Sequence, residues 1–277
     1  MDKGTVAGIM VAFGGITAGL LLEGGRISQV LQPTAALIVF GGTIGAVLLQ
    51  YPLSLVLKSV ASLRIVIFEP QLRAGDEISR LVVLAQKARR DGIVSLDKEV
   101  MDIADPFTRR ALMLAVDGTE PNELRAIMQL ELDATVEAED DLHRVWESAG
   151  GFAPTIGIIG AVLGLIQVMQ HLDKIDEVGR GIAVAFVATV YGVGFANLVA
   201  LPVSGKLRHR MRFRQIIREL TLEGVVSILE GINPRMLEAK LNGFVLQHET
   251  APRAVPGGKP AKAAAQQADA FQGGGPA

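Results

Sequence analysis

Four long apolar runs, separated by blocks in which the charges gather, set the pattern of this chain. The first extends from Gly4 to Leu22 without a charge. The second covers Thr34 to Leu49 and continues through Tyr51 toward Leu57, where Lys58 stops it. The third runs from Phe152 to about Met169 and the fourth from Ile182 to Val203. A hydrocarbon core about 30 Å thick takes about 20 helical residues to cross, so each run is long enough for a transmembrane helix. A signal peptide fits the first run poorly. One lysine leads it, and the apolar stretch passes Gly14 and Gly15 without a clean cleavage site before Glu23. Buried soluble helices fit the others poorly, because four of this length need a far larger domain around them.

Lysine and arginine bias sets the orientation. The connection from Glu23 to Pro33 carries only Arg26, and that from His171 to Gly181 sets Lys174 and Arg180 against Asp173, Asp176 and Glu177. The second run is followed by Lys58, Arg64 and Arg73, and the fourth by Lys206, Arg208, Arg210, Arg212, Arg214 and Arg218. Positive-inside bias places both termini and the long middle segment in the cytoplasm.

The middle segment reads as soluble helices. Asp76 is expected to cap a helix running to Arg90, with Gly92 ending it, and Ile78, Leu81, Val82, Ala85 and Ala88 form its apolar face. Ser95, followed by Lys98 and Glu99, opens a second short helix. Thr119-Glu120-Pro121 opens a third, expected to reach about Trp146. A charged amphipathic helix follows the fourth span from Lys206 toward Glu230, and Asn233-Pro234 starts a last one to about Val245. Beyond Thr250 the Ala, Gly, Pro, Gln and Lys composition cannot bury a core, so a disordered tail is expected.

The expected fold is an all-α polytopic membrane protein with four transmembrane helices and a helical cytoplasmic domain. Residues 1–57 hold transmembrane helices 1 and 2, 58–151 the cytoplasmic domain, and 152–203 transmembrane helices 3 and 4. Residues 204–249 form cytoplasmic amphipathic helices and 250–277 the tail. Composition agrees: 49% hydrophobic residues and a mean hydropathy of +0.37 are too apolar for a soluble domain, while 20% charged residues are too many for a chain immersed throughout. A net charge of −2 offers no field for nucleic acid. The absence of cysteine excludes disulfides and thiolate metal sites, and His143, His171, His209 and His248 show no metal-ligand spacing.

In the third run, Pro154, Gly157, Gly160, Ala161, Gly164 and Val168 recur at three- and four-residue spacing, as Ala185, Ala188, Thr189, Gly192 and Ala196 do in the fourth. Two narrow small-residue faces either pack closely on each other or line a constriction. The Thr189 hydroxyl is one of few polar groups at this depth, although a threonine can satisfy itself on a carbonyl one turn back. No Asp, Glu, Lys, Arg or His lies near the middle of any run. Ion relays need an ionisable group at that depth, so a conducting chain of this kind must take one from another subunit. Pro154 and Pro202 stand at the cytoplasmic ends of their runs, as hinges or as punctuation. Arg89, Arg90, Asp91 and Asp97 cluster in the middle segment, either as a solvated face or as a docking surface for a charged partner. The sequence contains no Walker A motif, nucleophile elbow or paired membrane carboxylates.

Over about residues 1 to 247 the chain resembles the MotA/PomA stator proteins of the bacterial flagellar motor, within the MotA/TolQ/ExbB proton channel superfamily. The span layout carries the likeness, with Ala153-Pro154-Thr155-Ile156-Gly157-Ile158-Ile159-Gly160-Ala161-Val162-Leu163-Gly164-Leu165 and Asn233-Pro234-Arg235-Met236-Leu237-Glu238-Ala239-Lys240-Leu241. The resemblance implies an inner-membrane pentamer around two copies of a MotB-like, peptidoglycan-anchored partner that supplies the ion-carrying aspartate. It also implies torque on the rotor protein FliG, no enzyme activity, and no cofactor beyond the transported ion. The partners it implies are those proteins and membrane lipid. Pro154 and Pro202 match the family's channel prolines, and Thr189 its ion-path threonine. Arg89 and Asp97 match its rotor-interacting pair, with aspartate where glutamate is common, and Glu131 loosely matches a further acidic site. Sodium-type members carry threonine where this chain has Ala161, and a methyl cannot replace sodium's hydration shell, so the resemblance points to protons rather than sodium. The alternative is an ExbB/TolQ-type proton-channel energiser of an outer-membrane system, a family that typically has three spans and an outside amino terminus.

Overall fold

The computed structural model describes residues 3–68 and 73–250, and the chain is all-α, with no strand among them. Near the amino end lie α1 (Lys3–Leu22), the short α2 (Ile27–Val30), α3 (Pro33–Gln50), α4 (Leu53–Ala61) and α5 (Leu63–Ile67). A compact group follows: α6 (Ala74–Asp91), a 3-10 turn (Ile93–Leu96), α7 (Asp97–Asp102) and α8 (Pro106–Val116). Then come α9 (Pro121–Gln170), α10 (Ile175–Phe195), a π-helical turn (Ala196–Ala200), α11 (Leu201–Leu229) and α12 (Pro234–Thr250). Among the described residues four helices are long and apolar enough to cross a membrane, and the protein is a multi-pass membrane protein.

Two of those helices do more than cross. α9 is one rod of 50 residues and α10–α11 a continuous rod of 55, each about 75–80 Å long at 1.5 Å per residue. The helix expected to stop near Trp146 therefore continues into the third span. The change from charged to apolar residues around Ala149–Gly151 marks a change of solvent, and the backbone continues through it. In the second rod Pro202 cannot donate to a carbonyl four residues back, and the turn before it widens, so that the Leu201 N–H reaches the Ala196 carbonyl.

The second span ends earlier than its apolar pattern suggests. α3 stops at Gln50 because Tyr51 precedes a proline, and Tyr51 is extended at φ −125° and ψ 146°. The residues from Leu53 onward form the separate α4. Its start docks on α9 through Tyr51 Oη, 3.0 Å from Ser148 Oγ. The Trp146 Nε1–H donates to the Ser59 carbonyl at 3.2 Å.

The polar end is a bundle of α6, α7, α8, α12 and the outer halves of α9 and α11. Its core is closed by Leu81, Leu96, Leu112, Leu124, Leu220 and Leu237, all fully buried. Some start signals differ from expectation. α6 begins at Ala74 with Arg73 at its N-cap and no side-chain cap, so Asp76 lies inside the first turn, where its charge suits the helix dipole. Ser95 lies within the 3-10 turn, its hydroxyl on the Gly92 carbonyl at 2.6 Å. α8 has no counterpart among the expected helices; the Asp105 carboxylate accepts the Thr108 N–H at 2.8 Å and Pro106 opens it. Pro121 and Pro234 open α9 and α12 as expected. The expected disordered tail, apart from Thr250 at the end of α12, lies outside the described residues.

Candidate functional site

Within the membrane the site is a seam between α9 and α10. Gly157, Gly160 and Gly164 are buried along it, opposite Ala185, Ala188 and Gly192. The backbones come so close that a methyl on Gly157 would lie 2.9 Å from the Ala188 carbonyl oxygen. The glycine faces are therefore packing surfaces, which was one of the two readings their spacing allowed.

α3 closes one edge of this seam. Its Ala35 and Val39 cluster with Val187 and Ala188, with Val184 and Tyr191 against them, and Ile38 stands over Gly160. The Tyr191 hydroxyl ties the same edge to the loop, donating to the Val30 carbonyl at 2.6 Å and accepting the Gln32 N–H at 3.2 Å.

At 3.6 residues per turn, Pro154 and Ala161 fall on the opposite edge of α9 from Gly160, and Thr189 on the opposite edge of α10 from Tyr191. All three are half-buried on the side away from α3, flanked by the exposed Ile158, Leu165, Phe186 and Val193. Thr189 Oγ1 donates to the Ala185 carbonyl at 3.2 Å, which leaves the oxygen as an acceptor. Pro202 does not join them. It stands on another face, in a cavity of about 530 Å³ between α1, α5 and the start of α11, among Phe13, Val66 and Val199.

No Asp, Glu, Lys, Arg or His interrupts Phe152–Met169 or Ile182–Val203. The edge formed by Pro154, Ala161 and Thr189 offers a hydroxyl, small residues and apolar surface, and no group that could carry charge. A chain with this edge can line a path, but it cannot by itself hold a proton or a cation in hydrocarbon.

A second group of candidates lies at the far end of the polar bundle. Gly92, at φ +82°, turns the chain between α6 and the 3-10 turn, a conformation that suits glycine. This puts Arg89 at the end of α6 and Asp97 at the start of α7, both exposed. Their neighbours are paired: Lys87 with Glu99, and Arg90 with Asp91 at 2.8 Å. The bond from Arg90 holds the Asp91 carboxyl below its usual range, and the bond from Lys87 does the same for Glu99. Arg89 and Asp97 have no ion pair among the described residues, so their charges remain available to a partner. Glu131 differs, because Arg110 of α8 lies 3.2 Å from its carboxylate and the pair links α8 to α9.

The sequence shows His143 only as one of four histidines without metal-ligand spacing, whereas in the fold it is buried between α9 and α11. A lone histidine in a charged stretch gives no pattern to read, and only the packing of two rods reveals it.

A family model described as the MotA/TolQ/ExbB proton channel family matches residues 99–219, and one described as the Motility protein A N-terminal matches residues 6–92. Motility protein A of Bacillus subtilis is 38% identical over 247 residues, covering 87% of this chain and 90% of that protein. The solved structure of C. jejuni MotAB superposes with a TM-score of 0.83 at 31% identity, covering 88% of this chain and 96% of that one. The flagellar MotAB stator complex of Bacillus subtilis gives a TM-score of 0.80 at 33% identity, covering 90% and 100%.

Proposed function

The chain belongs to the MotA/TolQ/ExbB proton channel family as a subunit of the flagellar stator type, and we propose that it passes protons into the cytoplasm together with a MotB-like partner and converts that flow into torque. The observation that carries this reading is the edge at Pro154, Ala161 and Thr189, which is open on the side away from α3 and holds no ionisable group. Such an edge requires a carboxylate from a helix placed against it. Both solved relatives are complexes of a MotA-type chain with a second protein, which suits that requirement.

In this reading five copies stand in the inner membrane around a dimer of the peptidoglycan-anchored partner. Both termini and the polar bundle lie in the cytoplasm, as the arginines after α10 favour. Ala161 supplies a methyl where a sodium path would want a hydroxyl, which favours protons as the coupling ion. No cofactor is needed. The unpaired Arg89 and Asp97 meet the rotor protein FliG, where complementary charge steers and registers the contact. The α9 and α10–α11 rods run from the membrane edge to that bundle as continuous helix, past Pro154 in the first and through the π-turn before Pro202 in the second. Four apolar helices also separate the chain from the three-span layout of an ExbB/TolQ-type energiser.

Co-reconstitution with the MotB-like partner tests the reading. Vesicles holding both chains should acidify under an imposed potential. Vesicles with this chain alone, or with a partner whose membrane aspartate is changed to asparagine, should not. Proton flux through this chain alone would overturn the proposal.

A further inference from the structure

His143 is a buried titratable group for which the ion path has no use. It is 5% exposed, and it lies between α9 and α11, nine residues before the third apolar run begins at Phe152. It lines a cavity of about 330 Å³ together with Val136, Glu139, Asp140, Arg208, Met211, Arg212 and Gln215. Its Nδ1 is buried without a hydrogen-bond partner and stands 3.4 Å from Asp140 Oδ1. The other oxygen of that carboxylate, Oδ2, takes Arg144 Nη2 at 2.6 Å. From α9 the ring faces Glu139, Asp140, Arg144 and Glu147, and from α11 Arg208 and Arg212.

A buried ring nitrogen with no partner costs stability, and a protonated ring between two rods costs more unless a carboxylate turns to it. Desolvation by burial holds the imidazole below its ordinary 6.5; Asp140 and Glu147 oppose this, and Arg208 and Arg144 add to it. A group held low in the folded chain binds its proton more readily once unfolded. Stability is therefore present above about 6.5 and is lost as pH falls through the window between that value and the lowered one.

We propose that His143 is a proton-responsive wedge between the two rods, through which acidification of the cytoplasm loosens α9 against α11 and throttles the motor. A proton from water in the cavity binds Nδ1, and the new imidazolium draws in Asp140 Oδ1 in competition with the hold of Arg144 on Oδ2. The same new charge faces Arg208 and Arg212 across the seam and pushes α11 outward. The proton returns to cavity water when pH recovers, so nothing is consumed. His143 lies eighteen residues, five full turns, before Ala161, on the same line of the α9 surface. A displacement at the wedge is therefore carried along α9, past Pro154, to the edge of the ion path. The throttling rests on the stator function proposed above, whereas the titration of the seam does not.

The chain provides its own probe. Trp146 is the single tryptophan, one turn from His143, and packs with Leu142 and Met211 at the same seam. The purified full chain with its partner is titrated between about pH 5 and 8, and the same complex carrying Trp146→Phe gives the partner's emission, which is subtracted. Trp146 emission should change below about pH 6.5, and His143→Gln should abolish the change. In cells whose internal pH is set by a weak acid, His143→Gln should lose speed about twofold less than wild type on acidification. If His143→Gln does not assemble, Asp140→Asn keeps the ring, removes its acceptor, and should move the emission change to lower pH. An emission change that survives in His143→Gln, or stays in place in Asp140→Asn, would overturn the wedge. An emission change that disappears while the speed profile stays as in wild type would overturn the throttling alone.

Discussion

Gly192 lies so close to Ala153 across the α9–α10 seam that a methyl on it would sit 2.5 Å from the Ala153 carbonyl oxygen. No rotamer relieves that contact, because both groups belong to helix backbone. Gly192→Ala should therefore force the spans apart, at a cost of about 1–3 kcal/mol typical of overpacking. Gly194→Ala, two residues on and with open space around its α-carbon, should cost little. Thermal unfolding of the detergent-solubilised protein distinguishes the two, and equal midpoints would mean that the seam can yield.

The exposed pair Arg89 and Asp97 makes the opposite demand. Arg89→Glu and Asp97→Lys touch no ion pair among the described residues, so each should change stability by less than about 0.5 kcal/mol. Each should still shrink the motility ring on soft agar, and compensating charges on the rotor protein should restore it. If the melting midpoint of either variant falls by several degrees, the residue belongs to the bundle's own structure.

How much of this arrangement could be read from residues alone depended on what kind of signal each feature leaves. The four spans follow from length and the absence of charge, and the prolines at Pro121 and Pro234 announce their helices. Errors arose where one property stood in for another. The apolar run past Tyr51 looked continuous because hydropathy does not register the backbone restriction imposed by Pro52. The end expected near Trp146 confused a boundary between solvents with the end of a helix. Asp105-Pro106 was a sound start signal that the surrounding charges obscured, so α8 went unread. For the candidate site, the small-residue stripes were legible, but which residues seal the seam and which border it depends on the side α3 occupies. No periodicity encodes that choice, and Pro202 falls on another face for the same reason.

Thr189 and Thr43 provide a paired test of the proposed ion path. Both hydroxyls donate to a carbonyl one turn back, at 3.2 Å to Ala185 and 2.6 Å to Val39. Thr43 is buried, while Thr189 stands half-buried at the open edge. If the hydroxyl at the edge helps proton passage, Thr189→Val should slow flux in co-reconstituted vesicles, and Thr43→Val should leave it near wild type. Equal loss in both would assign the effect to helix packing.

Glu77 provides a pH-dependent test of the polar bundle. It lies half-buried between α6 and α11, its Oε1 3.3 Å from Thr221 Oγ1 and its Oε2 3.4 Å from Arg80. Burial raises its carboxyl above the ordinary 4.5, and nearby Asp105 adds to this, against the lowering effect of Arg80 and Thr221. A raised carboxyl means that the folded chain holds the proton more tightly than the unfolded one. Its contribution is therefore present at acid pH and is lost as pH rises from 4.5 through the raised value. Glu77→Gln keeps a hydrogen-bond acceptor for Thr221 but cannot ionise. Its melting midpoint, compared with wild type at pH 5 and pH 8, should gain on wild type as pH rises. A difference that is the same at both pH values would show that desolvation does not govern this carboxylate, and that Arg80 neutralises it fully.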